Sequence, residues 1–154
     1  MERKNNMGMI DVTEKPVVRR LAEASGKIFL SPGTLKEIRE GTIRKGDPFP
    51  VAEVAAMNAA KQTHLLIPHC HQIPLDAVSA TFEMRDDHVK ATCAVKARAR
   101  TGVEMEAITG VTAALNTIWD MVKYLEKNEQ GQYPDTRISD IRVVRKEKER
   151  EKER

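Results

Sequence analysis

Hydrophobic positions along the chain fall into two alternating periods. Val18, Ala22, Ala24, Ile28 and Leu30 share one parity, with Glu23, Ser25 and Lys27 on the other, which predicts a strand with one buried face. Ser31-Pro32 offers an N-cap and a first-turn proline for a short helix through Arg39, and Gly41 ends it. Thr42 to Pro50 reads as a loop with strong turn chemistry at Lys45-Gly46-Asp47-Pro48. From Val51 the period becomes helical: Val51, Val54, Ala55, Asn58, Ala59 and Gln62 trace one small, Ala-rich face that runs toward Leu66 and stops at Pro68. Val78, Ala80, Phe82 and Met84 then alternate with polar residues. After Asp86-Asp87-His88 the alternation resumes through Val89, Ala91, Cys93, Val95 and Ala97, the pattern of a β-hairpin. Ala107, Ile108, Val111, Leu115, Ile118, Val122 and Leu125 form the longest helical stripe. Asn128 to Pro134 is a loop, and Ile138 to Val144 a last strand. The order strand, helices, hairpin, helix, strand predicts an α+β fold: a ferredoxin-like antiparallel sheet with helices packed on one face.

Composition narrows the class without deciding it. The 154 residues suit a single domain spanning 1–154, with a flexible N-terminus to about residue 10 and a charged C-terminal tail from about 146 to 154. Aromatic residues are only 4 %, so the core must be aliphatic. The net charge of +3 is a weak bias toward anions, and much of it lies between Arg142 and Arg154, where alternating Glu offsets the attraction to nucleic-acid phosphates. Two cysteines make no disulfide framework, the N-terminus shows no signal peptide, and no run reaches the ~18 apolar residues of a membrane span. These features predict a cytoplasmic protein with reduced thiols, and neither nucleic acid nor a membrane as partner.

Candidate chemistry concentrates in three segments. His69, Cys70 and His71 follow Pro68. They could ligate zinc, but a tetrahedral site needs a fourth ligand, and adjacent ligands are awkward. They could equally be a packed loop, or supply a neutral imidazole for proton transfer. Glu104 and Glu106 flank Met105: in an extended segment both carboxylates point one way and repel, whereas at a helix N-terminus they favour the macrodipole. Asp120 and Lys123 share a helix face opposite the apolar stripe. They are either a solvated ion pair or, if another subunit or loop covers them, an acid/base pair whose lysine is lowered in pKa by desolvation. Lys45 sits in the turn-rich loop. Arg20 occupies the apolar parity of its strand, so it either snorkels out at the strand end or meets an anion.

Taken together, Met9-Ile10-Asp11-Val12-Thr13, Ala59-Ala60-Lys61-Gln62-Thr63, Leu66-Ile67-Pro68-His69-Cys70-His71, Thr101-Gly102-Val103-Glu104-Met105-Glu106-Ala107 and Ile118-Trp119-Asp120-Met121-Val122-Lys123 resemble, in order and spacing, the MoaC family over roughly residues 9 to 146. The resemblance implies a ferredoxin-type cyclic pyranopterin monophosphate synthase of molybdenum-cofactor biosynthesis. Such an enzyme takes cyclised dihydro-GTP from an upstream radical enzyme and releases pyrophosphate. It uses no metal or other cofactor of its own, and assembles as a homohexamer, a trimer of dimers, with active sites between subunits. Asp120, Lys123, Lys45 and His71 match its catalytic positions. His69, Cys70, His71, Glu104, Met105 and Glu106 match substrate-contacting positions, and Arg20 and Lys146 match basic positions for the triphosphate. The chain departs from the common family pattern at His69 (usually leucine), at Gln72 (usually proline) and in the charged run Lys146 to Glu149.

Overall fold

A computed structural model describes residues 8–150. The elements in chain order are β1 (Val18–Phe29), α1 (Pro32–Glu40), α2 (Pro48–Lys61), α3 (Thr63–Leu66), β2 (Ala77–Met84), β3 (His88–Ala99), α4 (Glu104–Glu126) and β4 (Arg137–Lys148). The four strands form one sheet in the order β2-β3-β1-β4, every neighbouring pair antiparallel. Each outer strand follows a helical crossover from a strand two places away, the ferredoxin-like arrangement that the element order predicts.

The strand alternation places Val18, Ala22, Ala24 and Ile28 of β1, and Val89, Ala91, Cys93, Val95 and Ala97 of β3, on the buried face beneath the helices. The α4 stripe Ala107, Val111, Ala114, Leu115, Ile118 and Val122 closes over them. The hairpin runs through Asp86-Asp87 as expected, with Thr81 opposite Thr92 and Phe82 opposite Ala91.

Two expectations differ. The buried face of α2 is Pro48, Ala52, Ala56 and Ala60, while Val51 and Val54 are about half exposed. The cause is the close approach of α2 to α4. At Gly110 of α4 an added Cβ would lie 3.3 Å from the Ala56 carbonyl oxygen and 2.6 Å from Cys93 Sγ, so only the smallest side chains fit between the layers. The last strand also runs four residues beyond Val144. It stays paired to β1 through Lys148, with Ala22 opposite Lys146 and Arg20 opposite Lys148. Two irregularities in this pairing twist the strand, an edge otherwise protected by its charge.

The ends of α4 and α1 are tied by a buried carboxylate. Glu126 accepts hydrogen bonds from the Ser31 amide (3.1 Å), the Ser31 hydroxyl (2.6 Å), Thr34 Oγ1 (2.5 Å) and Thr136 Oγ1 (2.9 Å). Ser31 holds the N-cap position of α1, but its hydroxyl turns to Glu126 and Thr34 in place of its own helix backbone.

Candidate active site

The predicted residues gather into two groups, one at each end of α4. The first surrounds a cavity of about 330 Å³ lined by His69, Cys70, His71, Glu104, Met105 and Glu106, with Thr101 and Gly102 on one side and Ile10 and Lys15 on another. Helix α2 breaks at Gln62, and the turn after α3, closed by Cys70 N–H to Ile67 O at 3.0 Å, aims the His-Cys-His segment at the start of α4.

Glu104 and Glu106 lie in the first turn of α4, so the helical reading of that segment holds, yet both residues line the one cavity. Glu106 is 5 % exposed, and its Oε2 has no hydrogen-bond partner among the described residues. Burial, with a smaller push from the Glu104 charge, raises its carboxyl to about 7, against the pull of its own backbone amide. Near neutrality this carboxyl can therefore both give and take a proton. Burial and the Glu106 charge also raise the Cys70 thiol, so Cys70 is a neutral wall of the cavity and a poor nucleophile.

His71 Nε2 stands 2.7 Å from the carbonyl oxygen of Ile10. A carbonyl can only accept, so Nε2 carries a proton, and in the neutral form of the ring the lone pair is on Nδ1. Ile10 thus orients the imidazole. Lys146 reaches the same end of α4 from β4, its Nζ 3.2 Å from Glu104 Oε1, an ion-pair contact without hydrogen-bond alignment. Arg20 is buried at 5 % exposure, and its guanidinium donates to the carbonyls of Ala99 (3.0 Å) and Arg100 (3.2 Å). It meets backbone oxygens, neither snorkelling out nor facing the cavity, and braces the segment that leads into Thr101 and Gly102.

The second group is open to solvent. Asp120 Oδ1 is 3.0 Å from Lys123 Nζ, and Oδ2 is 3.3 Å from Lys45 Nζ. Hydrogen bonds from Lys123, then Lys45, hold the Asp120 carboxyl below the usual carboxylate range; in return Asp120 raises Lys123. The desolvated, lowered lysine considered from the sequence is absent in the single chain: Lys123 is held protonated here. Asp120 lies 14 residues beyond Glu106, about 21 Å along the helix axis at 1.5 Å per residue. Within one chain the two groups therefore do not share a cavity.

Among the described residues, no three His, Cys, Asp or Glu side chains are grouped so as to hold a metal ion. No described helix is long and apolar enough to cross a membrane. Cys93, buried against α4 and pushed up to about 12 by desolvation, is a core side chain.

Sequence comparison decides the family. The MoaC family pattern matches residues 9–149. The chain belongs to the MoaC family. It is 56 % identical over 138 residues to a protein of Pyrococcus abyssi named "Probable cyclic pyranopterin monophosphate synthase", covering 90 % of this chain and 87 % of that one. A protein of the same name from Thermococcus kodakarensis is 55 % identical over 140 residues, 91 % of this chain and 90 % of its own. A protein of Methanothermobacter thermautotrophicus, 52 % identical over 140 residues (91 % and 88 %), is named "Probable cyclic pyranopterin monophosphate synthase accessory protein".

Within the MoaC pattern, sequence reasoning gave no role to Ile10 and Lys15, which line the cavity, or to Tyr124 beside Lys45. The Met9-to-Thr13 motif is the available signal for Ile10, and Lys15 lies just beyond it. Nothing in the local sequence marks Tyr124, which sits in an ordinary helix turn.

Proposed function

We propose that this MoaC-family chain is a cyclic pyranopterin monophosphate synthase. It acts as a lyase that converts cyclised dihydro-GTP to the cyclic pyranopterin and releases pyrophosphate, within molybdenum-cofactor biosynthesis in the cytoplasm. The observation that carries the reading is the coincidence of family with chemistry. Relatives more than half identical over nine-tenths of the chain bear this name, and the motif residues converge on two groups suited to proton transfer.

Opening and rearranging a purine ring needs acid and base, and loss of pyrophosphate needs cations against the leaving charge. In this reading Lys123, kept protonated by Asp120, is a proton donor, and Lys45 works at the same carboxylate. His71 offers Nδ1 as acceptor, and Glu106 exchanges a proton near neutrality. His69, Cys70, Glu104 and Met105 shape the pocket. Lys146 supplies positive charge at its rim, and Arg20 holds the adjoining backbone in place. The separation of about 21 Å along α4 supports a site completed by a second copy, in a homohexamer built as a trimer of dimers. An upstream radical enzyme would supply the substrate.

The test mixes purified protein with freshly made cyclised dihydro-GTP and follows pyrophosphate and the cyclic pyranopterin together. Both products should appear. Lys123→Ala, Lys45→Ala and Asp120→Ala should each abolish turnover in folded, assembled protein. Folded wild-type protein yielding neither product would overturn the reading, and unfolding of a variant would make that residue structural.

A further inference from the structure

Lys45 sits on a tight turn. Gly46 N–H donates to Ile43 O at 2.9 Å, closing a four-residue turn whose central residues are Arg44 and Lys45. The turn is fixed at both flanks. Ile43 is buried at 5 % exposure, Gly46 takes φ 100°, a conformation that favours glycine, and Asp47 caps α2 by accepting from the Phe49 amide at 3.1 Å. The tip would still be free to swing, because the Lys45 and Asp120 side chains are each about half exposed, and an exposed ion pair holds a flexible lysine weakly.

Tyr124 removes that freedom. Its hydroxyl oxygen accepts the Arg44 backbone N–H at 2.7 Å, and the Arg44 guanidinium lies over its ring, 4.5 Å from the centroid. Tyr124 stands four residues after Asp120 on α4, so the two point from successive turns of one helix face. One turn of α4 thus grips the backbone just before Lys45, while the preceding turn receives its ammonium group, 3.3 Å from Asp120 Oδ2 and 3.4 Å from the Asp120 carbonyl oxygen. We infer that Tyr124 is a positioning residue that sets the Lys45 turn against Asp120 before substrate arrives. The inference rests on the proposed part of Lys45 in the reaction. Its physical content is separate: Tyr124 fixes where Lys45 sits.

The test uses Tyr124→Phe, which keeps the ring beneath Arg44 and removes only the acceptor oxygen. Two readouts are needed on full-length, assembled protein. The first is the rate of Lys45 acetylation by a limiting amine-reactive reagent, read by mass spectrometry with Lys36 and Lys61 as internal references. Loss of one such hydrogen bond should speed Lys45 labelling about 3- to 10-fold while the references stay unchanged. The second is kinetic: kcat should fall by about the same factor with KM within about twofold. Wild-type labelling of Lys45 in Tyr124→Phe would overturn the inference. So would an equal rise in the labelling of Lys36 and Lys61, since the change would then be a general loosening and not a release of Lys45. If Lys45→Ala is itself fully active, the catalytic reading of Lys45 fails, and the labelling rate alone still decides whether Tyr124 positions it.

Discussion

Single side chains in this molecule are tuned by what they touch, and two of them make opposite demands on pH. Asp120 stabilises the ammonium of Lys123, so replacing it by Asn removes the charge that raises the lysine. In the proposed reaction Lys123 must be protonated, and the alkaline limb of the kcat profile in Asp120→Asn should move to lower pH in whatever activity remains. A profile collapsing uniformly at all pH values would separate Asp120 from Lys123. Glu106 is the reverse case. Its folded carboxyl, at about 7, lies above the ordinary value of 4.5, so between those pH values the folded chain holds a proton that the unfolded chain has released. Stability from this residue is therefore greatest at or below pH 4.5, declines as pH rises toward 7, and is flat above. Glu106→Gln should be the more stable protein at pH 8, by on the order of 2 kcal/mol, and gain little at pH 5. Urea unfolding at both pH values measures this, and an equal change at each would mean that the buried charge is relieved elsewhere.

At the scale of elements, much was legible where period and size agree. The hairpin and α4 follow their patterns because apolar side chains alternate with polar ones along the strands and recur at helical spacing along α4. Helix α2 was misread for a physical reason: hydrophobicity favours Val51 and Val54, but the layer spacing selects Ala52, Ala56 and Ala60, the residues that permit close approach. The end of β4 escaped notice because a Lys-Glu alternation gives no apolar signal, although its backbone pairs with β1 and carries Lys146 to Glu104. Arg20 announced itself by breaking its strand's parity, but only the fold shows that Ala99 and Arg100 absorb its hydrogen bonds. Gly110 tests the packing argument directly. Alanine there gains about 1 kcal/mol of helix propensity, and the new Cβ meets Cys93 Sγ and the Ala56 carbonyl, an overpacking worth about 1–3 kcal/mol. Gly110→Ala should therefore lower the thermal midpoint, and Cys93→Ala should recover part of the loss by vacating the sulfur's space. A Gly110→Ala protein with a raised midpoint would show that the layers have room the contacts deny.

For the whole molecule, the decisive fact is that α4 is long. The helix that makes the core also carries Glu104, Met105 and Glu106 at one end and Asp120 and Lys123 at the other, and 23 straight residues cannot bring them to one small substrate. The motifs identify both groups, and the helical stripe from Ala107 to Leu125 already implies their separation once a rise of about 1.5 Å per residue is applied. If catalysis needs both, they must come from different copies, and inactive proteins should rescue one another. Take Glu106→Ala, damaged in the cavity, and Asp120→Ala, damaged in the lysine cluster. In a dimer of the two, one site receives both lesions and the other receives neither. Random reassembly of an equal mixture makes half the dimers mixed, each with one of two sites intact, so activity should return to about a quarter of wild type. The exchange is performed by mild dissociation and reassembly, with each variant alone as control. Activity of the mixture no greater than the sum of the separate variants, with subunit exchange shown by mass spectrometry, would mean that a single chain supplies the whole site. The open Asp120 cluster would then have to be reached by a movement within one chain rather than by a neighbour.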